Sequence, residues 1–323
     1  VADIALPAVA GRTDLIQLGE SLRAYADAGV SAGTRRSYES SWRTFASWCA
    51  SVGVEPLSAE ASHLALFVTA RAPHTAVATL ARDLAAIAWA FRAAGISPPA
   101  HPDLDRVMQG IRRTHGRPPR KKRALVVEDL RRVLAKLPDG LAGKRDRALL
   151  LVGFAGALRR SELAALAIGG ANSYPIRADF VPHGLEIHIA RAKGDQEGRG
   201  AIVAIPYGKR ICAVAALQAW LDAAEIRSGP IFRAVDRHGR VSSAAISDRA
   251  IADVVKAAAK RVGLDPAMFA GHSLRSGLLT SAAEKGAAPD VLQGHARHAK
   301  FDTTRGYIQA GDRFRRNAAG KVL

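Results

Sequence analysis

Cysteine, acid and long apolar runs are what this 323-residue chain has least of. Its two cysteines, Cys49 and Cys212, stand far apart and at no metal-ligand spacing. That leaves out a disulfide-stapled scaffold and a thiolate metal centre, and a reducing cytoplasm is the expected compartment. No stretch approaches the roughly 18 apolar residues of a membrane span, so no membrane partner is expected. The start at Val1 shows neither a basic n-region nor a long apolar segment, so no signal peptide is expected, and the missing initiator Met points to processing or trimming. The shortage of acid says most. Asp and Glu number 29 against 47 Lys and Arg, a formal net charge of +18. A GC-rich genome raises basicity by trading Lys for Arg, yet this surplus is large for an enzyme of this size, and such a field favours a polyanion, most often nucleic acid. What is abundant is small aliphatic residue: hydrophobic content is 48%, much of it Ala and Leu, which favours helix over sheet. The length allows two ordinary domains.

The segment 112–123 reads RRTHGRPPRKKR, with seven Arg or Lys, no acid, and Pro118-Pro119 forbidding helix at its middle. It is a linker, either a solvated tether or a strap across phosphates. Upstream, Tyr38, Trp42, Phe45 and Cys49 recur at intervals of four, three and four, one face of a helix over about 34–51. Leu80, Leu84, Ile87 and Phe91 repeat the pattern over about 75–94, with weaker patterns at 15–28, 59–72 and 102–114. Arg35, Arg36, Arg43 and Arg82 lie off these stripes, where they face either DNA or solvent. Downstream, helices are expected over about 127–137, 143–167, 208–224, 247–262, 274–286 and 289–293. Between them Leu185–Ala190 alternates and Ala201–Ile205 is a β-prone run closed by Pro206, so a hairpin is expected with Lys193 at its tip.

Six polar stations follow in order. Arg159 and Glu162 stand at i, i+3 on an expected helix, with Arg160 competing for the role of Arg159 and a surface ion pair of roughly 0.2–0.5 kcal/mol as the plain alternative. Lys193 follows, and as a turn lysine it is by itself unremarkable. His-x-x-Arg occurs twice. His188 and Arg191 fall on a strand, where i and i+3 point to opposite faces, whereas His272 and Arg275 enter a helix whose N-terminus favours a phosphate. His295 and His298 come next, and Tyr307, after Asp302-Thr-Thr-Arg-Gly, is the one tyrosine of five with a basic, Thr-rich approach late in the chain. Paired guanidiniums are planar donors that stay charged at any working pH and so suit the oxygens of a phosphoryl transition state. A tyrosine hydroxyl near pKa 10 needs such neighbours to ionise.

In this order and context the stations resemble the tyrosine recombinase (phage integrase) family over about residues 125–307. The wording around Arg-x-Ser-Glu-Leu selects Arg159 over Arg160. The family distance of nine residues from the third-station histidine to the tyrosine selects His298 over His295. The resemblance implies a mainly α protein in three parts. Residues 1–114 would be an all-helical core-binding domain and 115–124 a basic linker. Residues 125–323 would be an α+β catalytic domain with a small antiparallel sheet, and the two domains would form a clamp on duplex DNA. It implies that Tyr307 attacks a phosphodiester, giving a 3′-phosphotyrosine, with Arg159, Arg275 and His298 holding the phosphate. His272 would assist proton movement, Lys193 act as general acid and Glu162 orient its neighbours. No cofactor, metal or ATP would be needed. The implied partner is a double-stranded recombination site bound by a homotetramer of two dimers through a Holliday junction, with accessory DNA-bending proteins conceivable and a bacterial, phage or mobile-element origin. The basic residues expected at DNA add Arg117, Arg120, Lys121, Lys122 and Arg123 to the four upstream. The rivals are a type IB topoisomerase, a telomere resolvase, and a non-catalytic DNA-binding descendant of an integrase.

Overall fold

The structure, a computed structural model, describes residues 21, 25, 29–118, 122–170, 173–190 and 200–311, with side chains to 308. It divides into two compact units, residues 1–120 and 121–323.

In the first unit the described residues include four long α-helices, α1 (Ala32–Ser51), α2 (Ala61–Arg71), α3 (Val77–Ala93) and α4 (Pro102–His115). The hydroxyl of Ser31 caps α1 by accepting from Thr34 N at 3.2 Å. Pro102 opens α4, Asp103 and Asp105 follow in its first turn, and Arg112, Arg113 and His115 close it, each charge complementing the helix dipole. The aromatic stripe of α1 is core: Phe45 and Cys49 are fully buried against Phe67, Leu80, Ile87 and Phe91, while Tyr38 is half-buried beside Trp89. One acid crosses this interior. Asp83 is buried and accepts from Ser41 Oγ and Arg71 Nη1, each at 2.6 Å. The helix expected over 15–28 lies almost wholly outside the described residues.

The second unit opens with α5 (Val127–Leu134), α6 (Leu141–Ala155) and the short α7 (Arg160–Ala164). Strands β1 (Ala167–Ile168), β2 (Ile176–Val181), β3 (Gly184–Ile189) and β4 (Ala201–Pro206) follow, then α8 (Ala213–Ala223), β5 (Gly229–Pro230) and a ribbon of β6 (Arg233–Val235) and β7 (Val241–Ala245). It closes with α9 (Asp248–Arg261), α10 (Ser273–Glu284), α11 (Pro289–Ala296) and α12 (Phe301–Gly311). The two β-prone runs do pair antiparallel, Leu185 opposite Ile205 and Ile189 opposite Ala201, with Leu185, Ile187, Ile189, Val203 and Ile205 turned into the core. The hairpin tip at 191–199, and Lys193 with it, lies outside the described residues.

Two expectations need correcting. The larger sheet has the order β4-β3-β2-β1-β5, and β1 runs parallel to β2, so it is mixed rather than antiparallel. Strands of two residues carry no alternation to read. The single helix expected over 143–167 is broken: α6 stops at Ala155, Ala157 takes a left-handed φ of 44°, and Arg159 caps the next helix. Gly156 marks the stop, but the left-handed turn falls on the alanine after it, so the sequence signal is weak there.

The core of this unit runs through α6, whose residues from Ala148 to Phe154 are all buried, and through Trp220, Phe232 and Phe269. The indole of Trp220 donates to Ile231 O at 2.9 Å. A separate small cluster of Leu279, Ala283, Leu292 and Ala296 seats α12 through Tyr307 and Ile308. Helix α10 lies close under the segment entering α5: a Cβ on Gly277 would stand 1.9 Å from Leu125 O.

Candidate active site

Two helix ends build the floor of the site. Because Ala157 is left-handed, Leu158 N bonds back to Gly153 O at 3.2 Å, and the carbonyl of Ala157 is left to accept Arg275 Nη1 at 2.6 Å. Helix α11 ends the same way. Arg297 is left-handed at φ 55°, His298 N bonds back to Gln293 O at 3.2 Å, and Ala296 O accepts Arg275 Nη2. A left-handed non-glycine residue costs about 1–2 kcal/mol. Here each places the partly negative end of a helix against a guanidinium. Arg275 is 1% exposed, and burial first, then Arg159, lowers its pKa to about 10. It is still a cation at neutral pH.

Arg159 sits at the N-cap of α7, not inside a helix, so Glu162 at N3 reaches it twice. The carboxylate accepts from Arg159 N at 2.8 Å and from Arg159 Nη1 at 2.6 Å. Glu162 is buried at 4% exposed and the Arg159 side chain is partly buried, so this is not the surface bridge considered from sequence. Arg160 points elsewhere: it pairs with Asp248 at 2.9 Å and lies over Gly271.

His272 caps α10, and its Nε2 is 3.1 Å from the Tyr307 hydroxyl. The Tyr307 ring also stacks on His298, with centroids 5.9 Å apart and planes 11° apart. His298 Nδ1 is 2.9 Å from the hydroxyl of Thr304, which is fully buried one turn before Tyr307 on α12. Burial, then Arg275 and Arg159, pushes the pKa of His272 below its ordinary value, and the same causes take His298 down to about 4. Both rings are neutral at pH 7. His295 lies apart: its Nε2 meets Ala155 O at 2.8 Å, and since a carbonyl only accepts, that nitrogen carries a proton and ties α11 to α6.

The structure therefore brings together Arg159, Glu162, His272, Arg275, His298 and Tyr307, whereas Lys193 is outside the described residues. Of the basic residues expected at DNA, Arg36, Arg43 and Arg82 are exposed and Arg35 is half-buried on the first unit. Arg82 is turned toward Ser41 and Asp83. Arg117 is exposed, and Arg120 and Lys121 are outside the described residues. Lys122 donates to Ala267 O at 2.6 Å, and Arg123 pairs with Asp129 at 2.7 Å and lies over the Phe269 ring.

Two residues were missed from sequence. Thr304 had a signal in the Thr-Thr pair three and four residues before Tyr307. Arg297 had none beyond standing next to His298. Its side chain is 9% exposed, Nη2 grips Glu162 Oε2 at 2.6 Å, and its buried Nε and Nη1 find no acceptor among the described residues. Unpaired buried donors cost about 1–3 kcal/mol each. Three buried or half-buried guanidiniums face one carboxylate, so the site carries a formal surplus of two positive charges. With the N-terminus of α10 beside them, they make a place for a phosphate.

Among the described residues no group of three or more His, Cys, Asp or Glu could hold a metal ion, and no helix is long and apolar enough to cross a membrane. Comparison with known proteins places the chain in a family. Residues 123–313 match the Phage integrase family. An integrase/recombinase xerD homolog of Selenomonas ruminantium is 37% identical over 297 residues, covering 90% of this chain and 85% of the relative. In fold the chain resembles XerH site-specific recombinase bound to a palindromic difH substrate (TM-score 0.58, 17% identity, 81% of this chain and 72% of that one). It likewise resembles a lambda integrase dimer bound to a COC′ core site (TM-score 0.57, 17% identity, 90% and 93%). The chain thus belongs to the phage integrase family and is a tyrosine recombinase.

Proposed function

We propose that the protein cleaves and rejoins duplex DNA at a specific site through Tyr307. The observation that carries this is the placement of the Tyr307 hydroxyl 3.1 Å from a neutral His272 with its ring on His298. In this reading His272, protonated on Nδ1, accepts the tyrosine proton at Nε2 as the oxygen attacks phosphorus. The bond from phosphorus to the 5′ oxygen breaks, leaving a 3′-phosphotyrosine and a 5′ hydroxyl. Arg159 and Arg275 take the non-bridging oxygens, His298 donates to the same phosphate, and Lys193 gives the departing oxygen its proton. The phosphodiester energy is retained in the phosphotyrosine, so rejoining to another strand runs without ATP. Exchange of two strand pairs would proceed through a Holliday junction in a tetramer of two dimers, with or without DNA-bending partners.

The division of labour proposed is residues 1–114 gripping DNA with Arg35, Arg36, Arg43 and Arg82, residues 115–124 crossing the backbone, and residues 125–323 carrying the chemistry. The DNA-bound relatives support this use of the fold: XerH with its difH substrate and lambda integrase with its core site.

The test is covalent capture. The protein is incubated with labelled, nicked duplexes from the locus that encodes it and quenched in detergent. A protein–DNA adduct that Tyr307→Phe abolishes without weakening DNA binding is expected. Tight binding with no adduct would leave a DNA-binding protein on a recombinase fold. Relaxation of any supercoiled plasmid by a monomer would point to a topoisomerase, and hairpin products to a resolvase.

A further inference from the structure

Among the described residues, each hydrogen bond that holds the Arg159 guanidinium leads to Arg297 or to the carboxylate it grips. Glu162 Oε1 accepts from Arg159 Nη1 at 2.6 Å, while Glu162 Oε2 accepts from both Arg159 N at 2.8 Å and Arg297 Nη2 at 2.6 Å. The carbonyl of Arg297 in turn accepts Arg159 Nη2 at 3.4 Å. Arg159, Glu162 and Arg297 thus close a ring that joins the turn before α7 to the turn carrying His298, 138 residues further on. The residue before Arg297 supplies, through Ala296 O, one of the two acceptors of Arg275.

Building on the recombinase reading above, we propose that Arg297 is a positioning residue for phosphoryl transfer. Through Glu162 and its own carbonyl it fixes the Arg159 guanidinium, and through the chain it fixes His298, against Arg275 and Tyr307. Its conformation and its unpaired donors work against the fold, and its grip on Glu162 offsets them. The backbone is left-handed at φ 55°, and two buried donors lack acceptors among the described residues. A guanidinium in this position adds a third cation beside Arg159 and Arg275, each of which repels it. What it supplies is geometry: a fork that spans from its own turn to the far oxygen of Glu162, which a point charge cannot reproduce.

The same features make the inference testable, because glycine suits φ 55° and so keeps the turn while removing the side chain. In full-length protein, Arg297→Gly should unfold no earlier than wild type and bind the nicked duplex with nearly unchanged affinity. Its rate of adduct formation at saturating DNA should fall about 100-fold, the scale of a misplacement of about 1 Å at the reacting atoms. Arg297→Lys keeps the charge without the fork and should recover only part of that rate. Combining Arg297→Gly with Glu162→Gln should cost little more than the slower single change, since both open one ring.

An Arg297→Gly rate close to wild type would overturn the proposal. So would a rate that falls only in step with lost stability or lost DNA affinity, or full activity in Arg297→Lys, which would reduce the role to charge alone. Absence of any adduct in wild type is a different failure, that of the recombinase reading itself, and wild-type adduct formation separates the two.

Discussion

His272 and His298 are held neutral by burial and by the arginines beside them, and this sets the response to acid. In the unfolded chain a histidine takes up its proton near pH 6.5, whereas folded His298 refuses it until about 4. The unfolded state therefore binds more protons throughout that window. The sign is that His298 stabilises the fold fully above pH 6.5, and that this contribution is lost as the pH falls toward 4. Urea unfolding followed from pH 7 to 4 should show the midpoint dropping, with a shallower drop in His298→Asn. Catalysis should have an acid limb of the same direction. In the proposed mechanism a protonated His272 cannot take the proton of Tyr307, so adduct formation should slow below the ordinary histidine pKa. A rate that rises as the pH falls would assign His272 the opposite role.

At the scale of elements, helix ends rather than helix faces make this site. The C-termini of α6 and α11 offer carbonyls to Arg275, and the N-terminus of α10 presents His272. Their convergence requires α10 to lie close to the segment entering α5, which only glycine at 277 permits. A Cβ there meets the backbone carbonyl of Leu125 at 1.9 Å, and no rotamer change can relieve contact with backbone. Gly277→Ala should lower stability by about 1–3 kcal/mol, the scale of an overpacked core, as read from the urea midpoint. Wild-type stability in that variant would mean the segment yields easily.

What the sequence disclosed follows the same division. Faces are periodic, so the helical stripes of Phe45 and Phe91 and the paired runs at 185–190 and 201–205 were legible. Ends depend on single residues. The break before Arg159 was hidden because the left-handed turn fell on Ala157 instead of Gly156, and the two-residue strands β1 and β5 had no pattern to show. Six of the residues singled out in the sequence, Arg159, Glu162, His272, Arg275, His298 and Tyr307, were readable as an ordered set of residue types and lie together in the fold. The burial of Arg297 and the bond from Thr304 to His298 come from chain segments meeting in space, which no local pattern encodes.

For the whole molecule, a net charge of +18 makes association with DNA a matter of released counterions, and steeply salt-dependent. The second unit adds something more local. Three arginines against Glu162 repel one another when nothing anionic is bound, so any ligand that sits among them should stabilise the folded state. Low-millimolar sulfate should raise the unfolding temperature in a saturable way, by roughly 3–5 °C at about tenfold over its Kd, a scale at which general salting effects are small. A linear, non-saturating response would place sulfate at no such site. The surplus also has a direction along the reaction. A phosphodiester brings one negative charge and so leaves the pocket undercompensated. In the proposed reaction the five-coordinate phosphorus passed through in cleavage, and again in joining, spreads two over its oxygens and comes closer to balancing the pocket. The imbalance of the resting site is thus a preference for the species that lives briefest, and the pocket binds most tightly what it never holds for long.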